Sequence, residues 1–431
     1  MFDTMTRKQR RIVERDLLTL FARRAFITAP TIEDLKRLGP FHPSVQYKNG
    51  ALYLSEQGAT ALRRLVESLA SLPVLTNLIS VGEINKHVLQ RYSAWLTKGM
   101  QPNGQEFVDE ATDALLCQVK RYEFLVKIEG VDLNDIERLT LGSVRIQRSE
   151  PELFDSVEFA GNLDRESIYS QFKESLWLIG SAEGSSDVAF ERFNYRAFLT
   201  VGTLGICGAL LYRGAIWRSR VRVVISPLEH RKPVSTLAWE IGGKNPSLSR
   251  KLGPEQNLPF SAESVAYLFD TCFLERLSTL PDKENRSELE DAILRAIYWF
   301  AEAYRDHHPT MQFVKLWTCA ECFFAIDNEQ ITELNAKGIT TILVFAGFGI
   351  VEAEDYSEFK RNVKRLYGLR SKAIHRAEFS HIDLKDLDEL SHWAAWVVIS
   401  MVALAEKGYT TLRQIHEQTQ RLDRLSSDCN L

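Results

Sequence analysis

Apolar residues recur at helical spacing through the C-terminal third of the chain. The stretch SELEDAILRAIYWFAEAYRD opens with Ser287 and Glu290 at the spacing of a capping box, in which each side chain bonds the other residue's backbone N–H. Four further segments follow it: TMQFVKLWTCAECFFAI, a short apolar segment around TTILVFAGFG, a basic helix ending in YGLRSKAIHR, and DLKDLDELSHWAAWVVISMVALAE. The pattern predicts a bundle of four or five helices.

A β-hairpin and three helices are predicted in the first 75 residues. VQYKNGALYL alternates polar and apolar residues around Asn49-Gly50, a pair that readily adopts the positive φ angles of a type I′ turn. A charged amphipathic helix is predicted at about 7–22, TIEDLKRL forms a second helix with Thr31 as its N-cap, and ATALRRLVESLASL forms a third. With ALYLSEQGATALRRL at its end, this order resembles the wing and exit helix of winged-helix domains. The alternative is a small α/β dimerisation or docking unit.

The middle of the chain mixes helical and strand periodicities. Helices are predicted at 81–97 and 106–119, and alternation predicts strands in YEFLVKIEG, LTLGSVRIQR and RSRVRVVISPL. The apolar region with Gly202, Gly205 and Gly208 is typical of a closely packed helix. EIGGKNPSLSRKLGPEQNLPFS is polar and rich in Gly and Pro, which predicts a joint or an exposed loop.

The length and composition indicate a globular protein with several domains. The chain has 431 residues, 45% of them hydrophobic and 26% charged, which is ordinary composition but too much length for a single core. We predict a mainly α fold with an α+β part. The expected domains are a small winged-helix-like or docking unit at 1–75, a central mixed α/β domain at 76–280 and a helical bundle at 281–425.

Cysteine usage and the apolar stretches predict a cytoplasmic location. Six cysteines in so long a chain do not form a disulfide framework, and the charged start lacks the apolar core of a signal peptide. FLTVGTLGICGALLY and WAAWVVISMVALA fall short of the ~20 residues that cross a bilayer, so no membrane partner is expected. Cys319 and Cys322 form one CxxC without a partner pair, and no metal or other cofactor is expected.

A local basic run stands out against a formal net charge of -4. Phe359 to Arg376 carries seven Lys or Arg residues and no acid, so any nucleic-acid binding is expected from this patch. Arg370 falls on the apolar stripe of the same helix. A guanidinium keeps its proton in proteins, so Arg370 needs a partner or exposure. Glu321 borders the apolar stripe of WTCAECFF, and we expect it to pair with Arg370 and to orient it.

Arg370 and His375 form an R-x4-H motif, and here the sequence resembles the HEPN superfamily, in particular its Apea-like branch. The resemblance covers about 131–405. Its other points are KLWTCAECFF, an upstream helix with an internal Glu; ELEDAILRAIYWFAEAY, the helix before that; and VDLNDIERLTLGSVRIQ, a strand-bearing region that precedes the bundle. Ser371 follows the arginine, where catalytic members often have Asn, Asp or His; serine at this position occurs in the Apea-like branch. Arg376 follows the histidine, where a small residue is common.

The resemblance implies a metal-independent endoribonuclease that cleaves RNA by attack of its own 2′-OH. Two motif helices would meet across a homodimer, which suits the ~140° that separates Arg370 from His375 around one continuous helix; otherwise the helix must end or bend between them. His375 would be the general acid or base, Arg370 the phosphate clamp and Ser371 a polar neighbour. RNA would be held by five basic residues: Lys360, Lys364, Arg365, Lys372 and Arg376. Such proteins often serve antiphage defence or toxin-like growth arrest, which implies a phage-derived trigger or a regulatory protein.

Other interpretations of the same residues remain open. Arg370 can be one member of a buried ion pair that only stabilises the bundle, and the basic run can be a solvated face. The groove can hold RNA or a nucleotide without cleaving it. A transcriptional regulator acting through the N-terminal unit is a further alternative.

Overall fold

Helices form most of the described chain and strands a smaller part, as predicted. A computed structural model describes residues 1–27, 42–48, 50–148, 166, 175–224, 234–238, 247–251, 256–325, 331–376 and 382–428. Contacts divide the chain into two compact units. The first contains Met1–Glu123 and Ser181–Phe193, and the second contains Phe124–Gly180 and Asn194–Leu431. This division differs from the three predicted domains.

Four helices of the first unit share one apolar core, which is why the contacts do not divide the chain near residue 75. The helices are α1 (Arg7–Phe21), α2 (Glu56–Ala70), α3 (Val81–Lys98) and α4 (Gly104–Leu116). Leu17 of α1, Leu65 of α2, Tyr92 of α3 and Phe107 of α4 belong to a single buried cluster. The four helices agree with the predicted segments within a few residues. The helix predicted at TIEDLKRL lies outside the described residues.

The predicted hairpin is confirmed, but its turn differs from the expected one. Strands β1 (Ser44–Tyr47) and β2 (Gly50–Tyr53) pair antiparallel, with Tyr47 opposite Gly50. Gly50 therefore belongs to a strand, and Lys48 adopts the left-handed conformation with φ 50°. The turn is therefore not centred on Asn49-Gly50 as predicted, because Gly50 already belongs to β2.

Beyond β2, five of the described strands form one sheet and four form two pairs. The sheet has the order β5-β6-β7-β3-β8. Its strands are β3 (Lys120–Glu129), β5 (Arg138–Leu141), β6 (Val144–Arg148), β7 (Leu176–Gly184) and β8 (Arg222–Val224). Strand β4 (Val131–Leu133) pairs in parallel with β11 (Leu258–Phe260), and β9 (Val234–Ala238) pairs antiparallel with β10 (Ser247–Lys251). Strands β10 and β11 fall within the predicted Gly/Pro-rich loop, so the interpretation of that whole stretch as a loop was wrong.

The glycine-containing apolar region forms a closely packed helix, as predicted. Helix α5 (Ser186–Leu211) brings its backbone against the helix that contains Ile297. A Cβ atom on Gly202 would lie 2.3 Å from the carbonyl oxygen of Ile297, and one on Gly205 would lie 2.9 Å from the ring of Tyr304. Only glycine permits this approach. Three short helices follow in the chain: α6 (Ala215–Arg218), α7 (Ala262–Thr271) and α8 (Leu274–Thr279).

Six longer helices fill the C-terminal part of the described chain. They are α9 (Glu288–Arg305), α10 (Pro309–Phe324), α11 (Ile331–Phe345), α12 (Tyr356–Arg376), α13 (Leu384–Glu406) and α14 (Leu412–Asp428). The capping box of α9 is confirmed, because Ser287 and Glu290 bond each other's backbone N–H. Helix α14 was not predicted, and α11 is a full helix rather than a short apolar segment.

Helix α13 is longer than its apolar core suggested. It has 23 residues, and by length and composition it could cross a membrane. The stretch WAAWVVISMVALA is therefore only part of a helix whose full length reaches that of a membrane span. In the protein, 78% of its 18-residue apolar window is buried.

Candidate functional site

Arg370 lies on α12 with only 18% of its side chain exposed, and it has the predicted acidic partner. Its Nη2 donates to Oε2 of Glu321 at 2.9 Å. Glu321 projects from the neighbouring helix α10, and its side chain is 13% exposed. This contact confirms the pairing predicted from the two apolar stripes. The prediction rested on the need of a shielded guanidinium for a carboxylate partner.

Tyr367 completes this cluster. Its hydroxyl donates to Oε1 of Glu321 at 2.9 Å, so each carboxylate oxygen accepts one bond. The Arg370 guanidinium lies 5.4 Å from the centre of the Tyr367 ring, within cation–π range. The rings of Trp317 and Tyr367 pack in a T-shaped arrangement, with their centroids 5.0 Å apart. No role was assigned to Tyr367 from the sequence, although its position three residues before Arg370 places both side chains on one face of α12.

The cluster keeps the tyrosine protonated. Burial, followed by the negative charge of Glu321 and its hydrogen bond, raises the pKa of Tyr367 to about 12. The hydroxyl is therefore a donor at neutral pH. The Nε atom of Arg370 is buried and has no hydrogen-bond partner among the described residues. An arginine has five N–H donors, and among the described residues only the one at Nη2 has a hydrogen-bond partner.

His375 lies near the C-terminal end of the same helix and is exposed. Helix α12 runs through Arg376, so it does not end between Arg370 and His375. Five residues of helix separate the two side chains by about 140° around the axis and about 7.5 Å along it. Among the described residues, none forms a hydrogen bond or an ion pair with His375. Ser371 is half-buried beside Arg370. Within one subunit, the structure does not bring His375 and Arg370 to a common point.

Lys360, Lys364 and Arg365, which were predicted to bind RNA, form ion pairs with other helices. The bonds join Lys360 to Asp423 at 2.7 Å, Lys364 to Glu333 at 2.6 Å and Arg365 to Asp386 at 2.7 Å. Asp423, Glu333 and Asp386 belong to α14, α11 and α13. The positive charge of the basic run on α12, which contains no acid itself, is therefore partly neutralised by carboxylates of other helices. Lys372 and Arg376 are exposed. Lys372 has no ion pair within the described ranges.

Asp423 is the centre of a second polar cluster, which joins three helices. Besides Lys360, it accepts a hydrogen bond from the Tyr356 hydroxyl at 2.6 Å and lies 3.5 Å from Lys337. Burial opposes its charge, but the hydrogen bonds from Lys360 and Tyr356 outweigh burial and hold the pKa of Asp423 below its ordinary value. Burial, followed by Asp423 itself, raises the pKa of Tyr356. Because α14 was not predicted, this cluster was missed.

The CxxC of α10 is packed inside the bundle. Cys319 is fully buried, and burial raises its pKa well above the ordinary value; burial also raises the pKa of Cys322 to about 11. Protonated thiols are poor metal ligands. Within the described residues, no group of three or more His, Cys, Asp or Glu side chains is arranged to hold a metal ion.

The functional assignment rests on the site's own residues. The chain matches no protein-family model, no curated protein and no solved structure.

Proposed function

We propose that the protein is a metal-independent endoribonuclease of HEPN type, which cleaves RNA by attack of the 2′-OH on the adjacent phosphate. The observation that carries the proposal is the shielded Arg370, fixed by Glu321 from the neighbouring helix, with an exposed His375 near the end of the same helix. A fixed guanidinium and an accessible imidazole are the two groups that this chemistry needs near neutral pH.

Arg370 acts as the phosphate clamp in this mechanism. Glu321 takes one of its N–H groups and the Tyr367 ring supports its face, which fixes the guanidinium before RNA arrives. The remaining donors bind the phosphate oxygens as negative charge develops on them. A pre-organised donor costs no reorganisation at the moment of reaction.

His375 moves the proton. The imidazole accepts the proton of the attacking 2′-OH or donates one to the leaving 5′-oxygen, the general acid–base role that histidine most often has in enzymes. Ser371 is the polar neighbour of both groups. Since one subunit does not bring His375 to Arg370, the working site is composite: a homodimer supplies the clamp from one subunit and the proton carrier from the other.

The surrounding basic side chains hold the RNA backbone. Lys372 and Arg376 are exposed on the final turns of α12 and contact the backbone, and Lys372, which has no ion pair among the described residues, binds first. Lys360, Lys364 and Arg365 exchange carboxylate partners for phosphates, which makes Asp423, Glu333 and Asp386 competitors of RNA. A cytoplasmic role in antiphage defence or toxin-like growth arrest, set off by a phage-derived trigger or released from a regulatory protein, suits an enzyme whose basic residues are masked at rest.

The alternative is a module that holds RNA or a nucleotide without cleaving it. The separation of His375 from Arg370 along one continuous helix favours this alternative, because binding needs the fixed guanidinium but no proton carrier beside it. In that case Arg370 holds a phosphate without reacting, and His375 is a solvated residue at a helix end.

Cleavage of end-labelled RNA by the purified protein separates these functions. We expect products that end in a 2′,3′-cyclic phosphate, and His375→Ala and Arg370→Ala should each lower the rate by about 10²–10⁴-fold. Arg361→Ala is the matched control, because it removes an exposed positive charge from the same helix outside the motif. Circular dichroism must show that each variant is folded. Equal cleavage by the three variants, or RNA binding without cleavage by the native protein, contradicts the proposal.

A further inference from the structure

A second candidate site lies in the second unit, and its lining shares no residue with the proposed nuclease site. A cavity of about 190 Å³ is lined by α5, α9 and the segment around β8. Its lining includes the apolar and aromatic side chains of Phe198, Val201 and Tyr304. It also includes Arg220, Arg222 and further basic side chains from the end of α9 and the residues after it. Basic groups beside an apolar wall are the usual composition of a site for a small organic anion.

Arg220 has an unusual environment for a half-buried arginine. Its Nη1 donates to Nδ1 of His307, so this bond gives the guanidinium an uncharged acceptor and no counter-charge. No carboxylate of the described residues lies within salt-bridge distance of Arg220. Burial lowers the pKa of Arg220, although it stays charged at neutral pH. A partly desolvated cation without a carboxylate partner is costly, and an anionic ligand removes that cost.

The charges around the cavity leave an excess of cations. Glu129 is shared by Arg222 and Lys127, whose Nζ lies 3.0 Å away. Lys315 lies 3.1 Å from Glu302 and 3.0 Å from Asp306. Among the described residues near the cavity, the cations of these pairs and Arg220 number four (Lys127, Arg220, Arg222 and Lys315), and the carboxylates number three (Glu129, Glu302 and Asp306). These residues therefore favour an anion without any contribution from His307.

Aromatic side chains continue the apolar wall towards the surface. The ring of Phe198, which lines the cavity, packs against Tyr298 with centroids 5.1 Å apart, and Tyr298 packs against Trp299 at 5.9 Å. Tyr298 is 37% exposed and Tyr195, one turn before Phe198 on α5, is 49% exposed. An exposed aromatic surface beside a cationic cavity suits a flat ring attached to a phosphate, since bases stack on such side chains.

We propose that this cavity and its aromatic rim bind a mononucleotide, with the phosphate against Arg220 and the base on Phe198 and Tyr298. A cavity of about 150 Å³ holds one benzene-sized ring. The 190 Å³ here accommodates the phosphate and part of the sugar, while the base rests on the rim. The site uses neither Arg370 nor His375, so it is independent of the nuclease proposal.

Isothermal titration calorimetry on the full chain tests the site with three probes. Adenosine 5′-monophosphate carries both the ring and the anion, adenosine lacks the anion, and inorganic phosphate lacks the ring. We expect the monophosphate to bind at least about tenfold more tightly than either of the other probes. Equal affinity for the monophosphate and inorganic phosphate, or no binding of the monophosphate, overturns the proposal.

Two variants locate the binding. Arg220→Gln should weaken adenosine monophosphate at least about tenfold, and Tyr298→Ala should weaken it at least about fivefold without changing the affinity for phosphate. The matched control is Arg276→Gln, an arginine of the same unit that is 41% exposed and paired with Glu290. It should bind like the native protein. Because Tyr298 is partly exposed, its variant folds and decides the question even if Arg220→Gln does not.

The affinity for a longer RNA must also be measured. A four-nucleotide RNA that binds at least tenfold more tightly than the monophosphate, with the same dependence on Arg220, would assign this surface to RNA and reject the mononucleotide. Native affinity in a folded Arg220→Gln protein would reject the cavity altogether.

Discussion

Glu321 is the residue that allows an arginine on the packed face of α12. Its carboxylate accepts one hydrogen bond from Arg370 and one from the Tyr367 hydroxyl. Removing the carboxylate leaves the shielded positive charge and the shielded hydroxyl without this acceptor. Such losses cost more than the intact pair contributes, because the desolvation of the remaining group is not compensated.

Glu321→Ala should therefore lower the free energy of unfolding by about 2–4 kcal/mol, measured by urea denaturation. Adding Arg370→Met should recover part of this loss, and the double-mutant cycle should give a coupling of about 1–3 kcal/mol. Glu417→Ala is the control: this residue is 62% exposed and its pair with Arg413 contributes at most about 0.5 kcal/mol. A coupling near zero would mean that the 2.9 Å contact does not hold the guanidinium.

The raised pKa of Tyr367 predicts a stability change at alkaline pH. The folded value of about 12 exceeds the ordinary 10, so the contribution of Tyr367 is complete below pH 10 and is lost as the pH rises from 10 to 12. Tyr367→Phe cannot ionise and should show a shallower loss of stability in this window. Urea denaturation at several pH values measures it, and absorbance at 295 nm should show one late-titrating tyrosine fewer. Identical pH profiles would contradict the assignment.

The sequence was sufficient for the Arg370–Glu321 pair but not for the partners of the other basic residues. Both members of that pair lie beside apolar stripes, and a charge beside a packed stripe requires a counter-charge. Lys360 pairs with Asp423, more than sixty positions later in α14, a helix that was not predicted. Charged residues on the polar face of a helix have no sequence pattern that would identify such a partner.

At the scale of elements, the strongly periodic helices agree with their predictions within a few residues. Helix α1 was predicted at 7–22 and occupies Arg7–Phe21, and the capping box places the start of α9 correctly. Strand β11 is different: Leu258–Phe260 pairs with Val131–Leu133, far away in the sequence. Its three residues are too few for a readable alternation, so tertiary pairing rather than local pattern creates this strand.

The glycines of two helices give a direct comparison of close packing with open space. Gly202→Ala on α5 should lower the free energy of unfolding by about 1–3 kcal/mol, because the new methyl group meets the backbone oxygen of Ile297 at 2.3 Å. Gly368→Ala on α12 meets nothing within 4 Å and should raise it by about 0.5–1 kcal/mol through helix propensity. Urea denaturation of both variants checks the opposite signs. Stabilisation by Gly202→Ala would show that α5 can move away.

The whole molecule has two compact units because its first four helices share a core. Leu17 and Leu65, before the predicted boundary at residue 75, lie in the same cluster as Tyr92 and Phe107 beyond it. Amphipathic patterns show that each helix has an apolar face, but they do not show which faces meet. The return of the chain at Ser181–Phe193 to the first unit is a further fact that no local pattern contains.

A composite dimer site predicts rescue between two inactive proteins. A mixed dimer of one Arg370→Ala subunit and one His375→Ala subunit keeps one intact site of two, so it should show about half of native activity, because a twofold interface repeats each contact. Co-expression with two different affinity tags isolates this dimer, and RNA cleavage measures it. Homodimers of either variant are the controls. An inactive mixed dimer would mean that both groups act within one subunit.

The discontinuous first unit also affects the order of events during synthesis. Residues 124–193 must be translated after residue 123 before this unit has all its parts, which takes roughly 4–14 s at about 5–20 residues per second. Until then, Leu78 lacks the 2.7 Å backbone bond from Ser185, and the buried Phe193 is missing. During this interval the nascent first unit therefore has the apolar cluster of its four helices but lacks the segment that contains Ser185 and Phe193, and chaperones can bind the surface that this segment later covers.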